Sequence, residues 1–373
     1  MDIYTENNFH NLTIYQKKWN KLCEQNLTNT IFQTYEWIKT WWSVHKGDNK
    51  LFVVLAMEGK DLVGIAPMMI MQEHKWAKKR RVLKFISSDA SDYADFIIQN
   101  NRGDVLTALI TYILNNIDKW DRIELLNIPE YSQSGKTLLD IFEQRKFKQF
   151  IIRNKACPAL NIKDDADFAK KAANKKSLRR HHTYFRKQGE FEVLHLFDQS
   201  QIKKYLRSFF DQHIERWKRS NAPSLFEDKT NRLFYEELTR ELSCKGWLAF
   251  TVIKSKGIQI AYHFGFDYNN KFIWYKPSFD ISLSKHSPGE VLLKELLEYA
   301  IKSKKDEFDF TVGKESYKSR FSNKIGKNYD FHVFKYKSEF ITCCIINAVK
   351  QMMMLRFKSM FRNNMFLQEN KGN

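Results

Sequence analysis

The 373-residue sequence predicts an α/β (α+β) protein of two comparable units in tandem, each a mixed, mainly antiparallel sheet flanked by helices. Two observations lead there. A succession of helix, tight hairpin, further strands, helix and strand runs through the first half and recurs in the second. Between the halves, "NKACPALNI" at 154–162 breaks a polar stretch with a proline. The expected units are 1–155, 156–338 and a basic, Met-rich tail over 339–373, rather than one large sheet.

Residues 30–45, "TIFQTYEWIKTWWSVH", read as a helix with Phe32, Trp37, Ile38 and Trp41 inward. "KLFVVLAM" and "LVGIAPMMIM" are strands joined by the tight "EGKD". "RRVLKFI" and "YADFIIQ" read as further strands, followed by a helix over 103–117, the strand "RIELLNI" and a helix over 135–144. In the second half, helices over 199–218 and 230–243 lead into "WLAFTVIK", the turn "SKG" and "IQIAYHFGFD". The turn "YNN" introduces the strand "KFIWYKP". In "VLLKELLEYAI" the residues Leu292, Leu293, Leu296, Leu297, Ala300 and Ile301 follow the helical repeat, so this helix packs on the sheet. The strand "EFDFTVG", a short irregular segment and the strand "YDFHVFKYK" close the series.

Composition narrows the class. Hydrophobic residues make up 43% of the chain and 30 are Phe, so large cores can form and disorder is confined to the ends. Lys and Arg outnumber Asp and Glu by 62 to 43, a formal charge of +19, which implies an anionic partner: nucleic acid, a lipid surface or a phosphorylated ligand. The five cysteines, at 23, 157, 244, 343 and 344, form neither a disulfide framework nor a metal-ligand spacing. The N-terminus lacks a basic start followed by an apolar run, and the longest uncharged apolar stretch, Phe340 to Val349, is too short to span a bilayer. A cytoplasmic protein is expected.

No P-loop, dinucleotide glycine fingerprint, HExxH or Gly-x-Ser-x-Gly is present, which argues against those enzyme classes. Residues 169–187, "AKKAANKKSLRRHHTYFRK", hold eight Lys or Arg and no acid, and read either as a solvated basic helix or as a docking face for a phosphate-rich ligand or anionic lipid. The segment has no aromatic ladder, which makes specific single-strand nucleic-acid binding a poor fit. In the tail, Lys350, Arg356, Lys358 and Arg362 are spread around an apolar, Met-rich sequence; it suits either docking on the protein's own body or peripheral contact with an anionic membrane.

Ser287, Pro288 and Gly289 open the helix of the second half. Serine and proline there are ordinary helix-start residues. The same position is a phosphate cradle when the N–H groups of Gly289, Glu290 and Val291 are free to meet an anion. The motifs "FQTYEWIKTWW", "GKDLVGIAPMM", "IQIAYHFGFD", the Ser-Pro-Gly and "DFTVGKESYKSRF", in this order, resemble the CelD/BcsL-like tandem group of the GNAT acyltransferase superfamily, related to FemAB proteins, over residues 30–337. The Arg/Gln-x-x-Gly-x-Gly/Ala signature of most GNAT domains is replaced by Ser-Pro-Gly.

The resemblance implies an N- or O-acyltransferase that takes an acyl group from acetyl-CoA or another acyl-CoA, with no metal, in bacterial cell-surface polysaccharide biosynthesis. The acceptor would be a sugar or amine, nucleotide- or lipid-linked. FemAB relatives instead take aminoacyl groups from tRNA, and a non-catalytic polyanion-binding protein on the same scaffold is a third reading. The cofactor-binding residues implied are Ser287, Gly289, Glu290 and Val291 for the pyrophosphate, and Ile273, Trp274 and Tyr275 beside the pantetheine.

Transfer to an amine or hydroxyl needs a base and a donor for developing negative charge. Asp309 is the candidate base, or a carboxylate paired with a lysine. Glu315 is a further base. Tyr317 and Lys318 are candidate donors, or packing residues of an irregular segment. His263 is either a strand histidine or a residue near the acceptor, and Arg216 and Trp217 are expected to line the acceptor groove.

Overall fold

A computed structural model describes residues 1–75, 78–218, 222–313, 315–346 and 352. The first half contributes β1 (Asp2–Glu6), α1 (Gln16–Gln25), α2 (Tyr35–His45), β2 (Lys50–Glu58), β3 (Asp61–Lys75), β4 (Lys78–Phe85), β5 (Ile97–Ile98), α3 (Gly103–Asn115), β6 (Arg122–Pro129), α4 (Gln133–Gln144) and β7 (Lys148–Asn161). The second contributes α5 (Ala166–Ala173), α6 (Lys176–Lys187), β8 (Phe191–Leu196), α7 (Gln199–Trp217), α8 (Lys229–Ser243), β9 (Leu248–Ser255), β10 (Ile258–Tyr268), β11 (Lys271–Phe279), α9 (Pro288–Lys302), β12 (Glu307–Asp309), α10 (Ser316–Phe321) and β13 (Lys324–Phe334). The expected hairpins and principal helices all form.

The two expected sheets are joined into one. Among the described residues thirteen strands form a single mixed sheet in the order β1-β2-β3-β4-β6-β13-β7-β12-β11-β10-β9-β8, with β5 paired to β3. The join is made by two strands near the chain's middle and end. β13 lies antiparallel between β6 and β7, so a strand from the end of the second half completes the sheet of the first. β7 is long enough to pair with β13 along its whole length and, over Ala159–Asn161, with β12 as well. The boundary expected at 155/156 therefore lies inside one continuous strand.

Both faces of the sheet are covered, which is why β2 reads as a continuous apolar run, buried from Leu51 to Met57. On one face, α1, α2, α7 and α8 share a single aromatic core running across both halves. There Trp37 packs edge-on against Phe234 and Phe266, at 5.5 and 5.7 Å between ring centres. On the other face, α3 and α4 cover the first half, and α5, α6 and α9 cover the second. The helix starts are set by local chemistry: the side chains of Thr34, Asp198 and Asp228 accept N–H bonds at the starts of α2, α7 and α8.

Three segments depart from the sequence expectation. Of "YADFIIQ", only Ile97–Ile98 is strand, because Asp95 turns inward to accept hydrogen bonds from Ser132, Thr28 and the Phe96 N–H; residues 86–96 form a loop instead. "EFDFTVG" stops being strand at Asp309, since Thr311 adopts a left-handed backbone (φ 57°) that turns the chain away. "SYKSRF" is not irregular but the short helix α10. The tail is helical from 337 to 346, and Glu339 pairs with Arg122 and Arg80 at 3.2 and 3.5 Å. Lys350, Arg356, Lys358 and Arg362 lie outside the described residues. Among the described residues no helix is long and apolar enough to cross a membrane.

Phe331 of β13 is fully buried in the core of the first half, against Phe142. Phe331→Ala is expected to lower the unfolding free energy by ~3–5 kcal/mol in urea titration. It should also loosen the first half, read as faster amide exchange in β6 and α4.

Candidate active site

β11 and β12 run parallel and pair only over Lys271–Ile273 with Glu307–Asp309. Beyond Ile273 the two strands part, so from Trp274 to Phe279 the edge of β11 facing β12 has no strand partner. The parting is held open by fixed contacts. The Thr311 hydroxyl donates to the Trp274 carbonyl at 3.2 Å, and the Arg216 guanidinium donates to the Pro277 carbonyl at 2.7 Å while lying 4.4 Å above the Phe279 ring. The result is a cleft between the diverging strands that runs from the end of β12 toward Phe279, on which the start of α9 packs.

Asp309 stands at the bottom of this cleft. Its Oδ1 accepts the Tyr93 hydroxyl at 2.8 Å and the Thr311 N–H at 2.7 Å. Burial, and then the neighbouring Glu307 carboxylate, push the Asp309 carboxyl up to about 6. Glu307, by contrast, is bridged to Lys271 and Lys324 at 2.9 and 3.3 Å. Asp309 thus combines a carboxylate's reactivity with a proton affinity useful near neutral pH.

Tyr317 and Lys318 lie on α10 and Glu315 just before it, a few residues past the end of β12. Tyr317 accepts the Trp274 indole N–H at 3.2 Å, which leaves its own O–H to donate. Burial pushes the Tyr317 hydroxyl up to about 12, so it remains a donor at neutral pH. Lys318 is buried, donates to the Val312 carbonyl at 3.1 Å and pairs with Glu315 at 3.3 Å; Glu315 itself is half exposed. Ile273 pairs in register with Asp309, and Trp274 begins the open edge.

Other candidates are placed differently. The Tyr275 side chain turns away into the aromatic core, its hydroxyl donating to the Ala90 carbonyl at 2.6 Å. The His263 ring is stacked on Trp274, 5.0 Å between centres, and its Nε2 accepts the Tyr275 N–H at 3.2 Å. That bond takes the lone pair a base would use, and burial pulls His263 down to about 3, so it is neutral. It fills a bulge in β10, where Gly265 is required: a Cβ there would sit 1.9 Å from the ring. Arg216 clamps the end of β11 as described, and Trp217 stacks on His213 at 5.6 Å.

The start of α9 is more occupied than the sequence suggests. Ser287 has a left-handed backbone (φ 51°) and makes no side-chain cap bond. Its carbonyl instead accepts the N–H groups of Glu290 and Val291, at 2.9 and 3.3 Å. Of the three N–H groups expected to face a phosphate, this leaves that of Gly289. Gly289 packs closely on Phe279, where an added Cβ would lie 3.1 Å from the ring, so Gly289→Val would disturb packing as well as binding. The Glu290 carboxylate lies 3.6 Å from Arg320 and 3.9 Å from His181, and Tyr184 of α6 stacks on His286 with 3.8 Å between ring centres. α6 is therefore set beside the start of α9 through His181 and Tyr184, with Arg179, Arg180, Arg186 and Lys187 exposed.

Two contributors escaped the sequence reading. Tyr93 comes from the other half, 216 residues from Asp309, and no local pattern marks it. Lys276, on the open edge, lies 4.0 Å above the Tyr275 ring and makes no ion pair among the described residues. Burial, and then Lys318, pull its ammonium below the usual lysine range against the opposing pull of Asp92.

Residues 172–319 match the family model described as an acetyltransferase (GNAT) domain. This stretch of the chain is similar to a GNAT acetyltransferase domain. This match contains β10, β11, α9 and β12, and hence the cleft and Asp309. Among curated proteins no sequence matches significantly. Three solved structures are similar to nearly the whole chain. FemX is 10% identical with a TM-score of 0.61, covering 89% of this chain and 97% of FemX. A conserved protein of unknown function from Bacteroides thetaiotaomicron is 12% identical, TM-score 0.55, over 90% and 100% of the two chains. L-PGS from Bacillus licheniformis is 12% identical, TM-score 0.54, over 89% and 95%. At these identities the likeness is one of fold, and it extends across both halves, beyond the stretch that matches the family model.

A buried carboxyl with a raised pKa makes a definite stability prediction. Because Asp309 holds its proton more tightly folded than unfolded, its contribution is full below the unfolded value of about 4 and is lost as pH rises through about 6. Asp309→Asn should therefore gain on wild type, by on the order of 3 kcal/mol, between pH 4 and pH 8. Urea denaturation of both proteins at the two pH values checks this.

Proposed function

We propose that this protein transfers an acyl group from acyl-CoA, in the simplest case acetyl-CoA, to the amine or hydroxyl of a sugar or amine acceptor. The setting is bacterial cell-surface polysaccharide biosynthesis, with the acceptor nucleotide- or lipid-linked. The observation that carries the reading is the unpaired edge of β11 opening directly beside Asp309 and Tyr317. Apart from the Trp274 and Pro277 carbonyls, which accept from Thr311 and Arg216, the backbone groups of that segment suit the amides of pantetheine, which run as an extra strand would. The Gly289 N–H and the cations around the start of α9 suit the pyrophosphate.

In this scheme the acceptor nitrogen or oxygen attacks the thioester carbonyl while Asp309 takes its proton. The tetrahedral oxyanion then collapses, the C–S bond breaks and the thiolate leaves as CoA. Tyr317 supplies the proton to the sulfur and recovers it from solvent. Lys276 and Lys318 lower the cost of negative charge at this point, and the low-dielectric surroundings strengthen that effect.

One observation favours a second donor, aminoacyl-tRNA. The basic helix α6, with Arg179, Arg180, Arg186 and Lys187, stands beside the start of α9, and this surface suits a polynucleotide as well as a pyrophosphate. The chemistry at Asp309 is the same for either donor.

Thiol release from acetyl-CoA, assayed with a panel of amino sugars and amines, tests the proposal. Asp309→Asn should lower turnover by about 10²–10⁴-fold, and the wild-type rate should rise with pH through about 6 as the carboxyl ionises. Turnover with charged tRNA and none with acyl-CoA would select the second donor. Polyanion binding with no turnover on either would leave a binding protein.

A further inference from the structure

The helix over 337–346 is turned inside out for one that faces water. A surface helix ordinarily puts its apolar stripe on the core and its charges outside. Here the acid points in: Glu339, its side chain only 12% exposed, reaches Arg122 and Arg80 at 3.2 and 3.5 Å. Phe340 packs on Phe334 of β13, 5.7 Å between ring centres. These two contacts fix the rotation of the helix about its axis. They leave Ile341 and Ile345, one turn apart, facing outward at 45% and 58% exposed. Lys337, one turn before Ile341, is exposed on the same stripe, and Met352, seven residues after Ile345, is exposed as well.

The apolar surface continues past the helix. Tyr336 is exposed, with the Arg80 guanidinium 6.0 Å and the Lys335 ammonium 5.5 Å from its ring centre. Lys335 also donates to the Ile117 carbonyl at 2.9 Å, and Ile117 is itself exposed. Single exposed apolar side chains are ordinary, but a stripe held outward by inward-pointing ion pairs marks a docking surface.

Charge selects the occupant. The acids at this end are withdrawn, since Glu73, Glu124 and Glu339 surround Arg122 under the helix. The exposed charge on the stripe is Lys337. The sequence that follows, 347–368, carries Lys350, Arg356, Lys358 and Arg362 and no Asp or Glu. A second copy of this chain, or the tail laid back over the face, would set these cations against one another. A soluble polyanion would neutralise them but leave the isoleucines in water. A bilayer with anionic headgroups meets both needs: it takes Ile341, Ile345 and Tyr336 into its interface while the cations stay at the phosphates.

We infer that the outer face of the 337–346 helix, together with Tyr336 and Ile117, docks on the surface of an anionic lipid bilayer. Docking of this kind depends on neither Asp309 nor the acyl donor, so it stands or falls separately from the proposed reaction.

Flotation of the full chain with phosphatidylcholine vesicles, with and without phosphatidylglycerol at about one lipid in three, tests the assignment. Binding to the phosphatidylglycerol vesicles should exceed binding to pure phosphatidylcholine by roughly tenfold or more. It should fall by a similar factor at about 1 M salt, where screening shortens the reach of charge to about 3 Å. Ile341→Ser combined with Ile345→Ser should weaken vesicle binding by roughly tenfold, with the urea unfolding midpoint of wild type, because both side chains are already in water. Lys337→Gln should weaken it by about fivefold. Wild-type protein that stays off anionic vesicles, or binds neutral ones as tightly, overturns the assignment, and so does a serine pair that binds as wild type does. A wild-type dimer in sedimentation that the serine pair converts to monomer also overturns it, in favour of a second copy on this face.

Discussion

The backbone pairing of β13 between β6 and β7 is the constraint on which the rest depends. It inserts eleven residues from the end of the second half into the sheet of the first, and carries Phe331 and Val333 into the far core. Through β7 it also fixes β12, which pairs with Ala159–Asn161 and so sets where Asp309 stands. The loop bearing Tyr93 is held against the same strands by the bonds of Asn328 to Asp92 and of Asn127 to Ser91. Both walls of the cleft are thereby referenced to one pair of hydrogen-bonded strands. This explains how a carboxylate from one half and a tyrosine from the other are kept at 2.8 Å.

How far the sequence was legible follows from which forces are local. The stripe Leu292, Leu296, Leu297 and Ala300 announces α9 because a helix on a sheet must bury one face, and every one of those residues is buried. The hairpins were readable for the same reason, as apolar strands joined by tight turns. Alternation in "YDFHVF" identifies a strand but says nothing about which sheet receives it, so the exchange of β13 was invisible. Ser287, Pro288 and Gly289 were recognisable as a helix start, yet the left-handed turn at Ser287 and the packing of Gly289 on Phe279 depend on tertiary neighbours. Asp309, Tyr317, Lys318 and Glu315 were readable as a group because they lie within ten residues of one another. Tyr93 was not, since it reaches Asp309 from a distant part of the chain.

The charge of the chain takes on a more specific meaning in three dimensions. Much of the positive excess is spent in pairs, as where Arg122 meets Glu73, Glu124 and Glu339. Exposed cations that make no such pairs include Arg179, Arg180, Arg186 and Lys187 of α6, the helix that packs beside α9. The buried histidines His213 and His263 add no charge to this pattern, because burial holds both near 3 and therefore neutral.

The exchanged strand also orders events during synthesis. When the ribosome has made residues 1–161, the strands β6 and β7 exist but the slot between them is empty, and the apolar faces that will flank Phe331 are exposed. Nothing made before residue 324 can fill it, so the half translated first is the half completed last. At elongation rates of ~5–20 residues per second, that open slot persists for many seconds on every nascent chain. Its two unsatisfied strand edges are the kind of surface to which a foreign strand adds, and the charged residue at the start of β7, Lys148, discourages that during the wait.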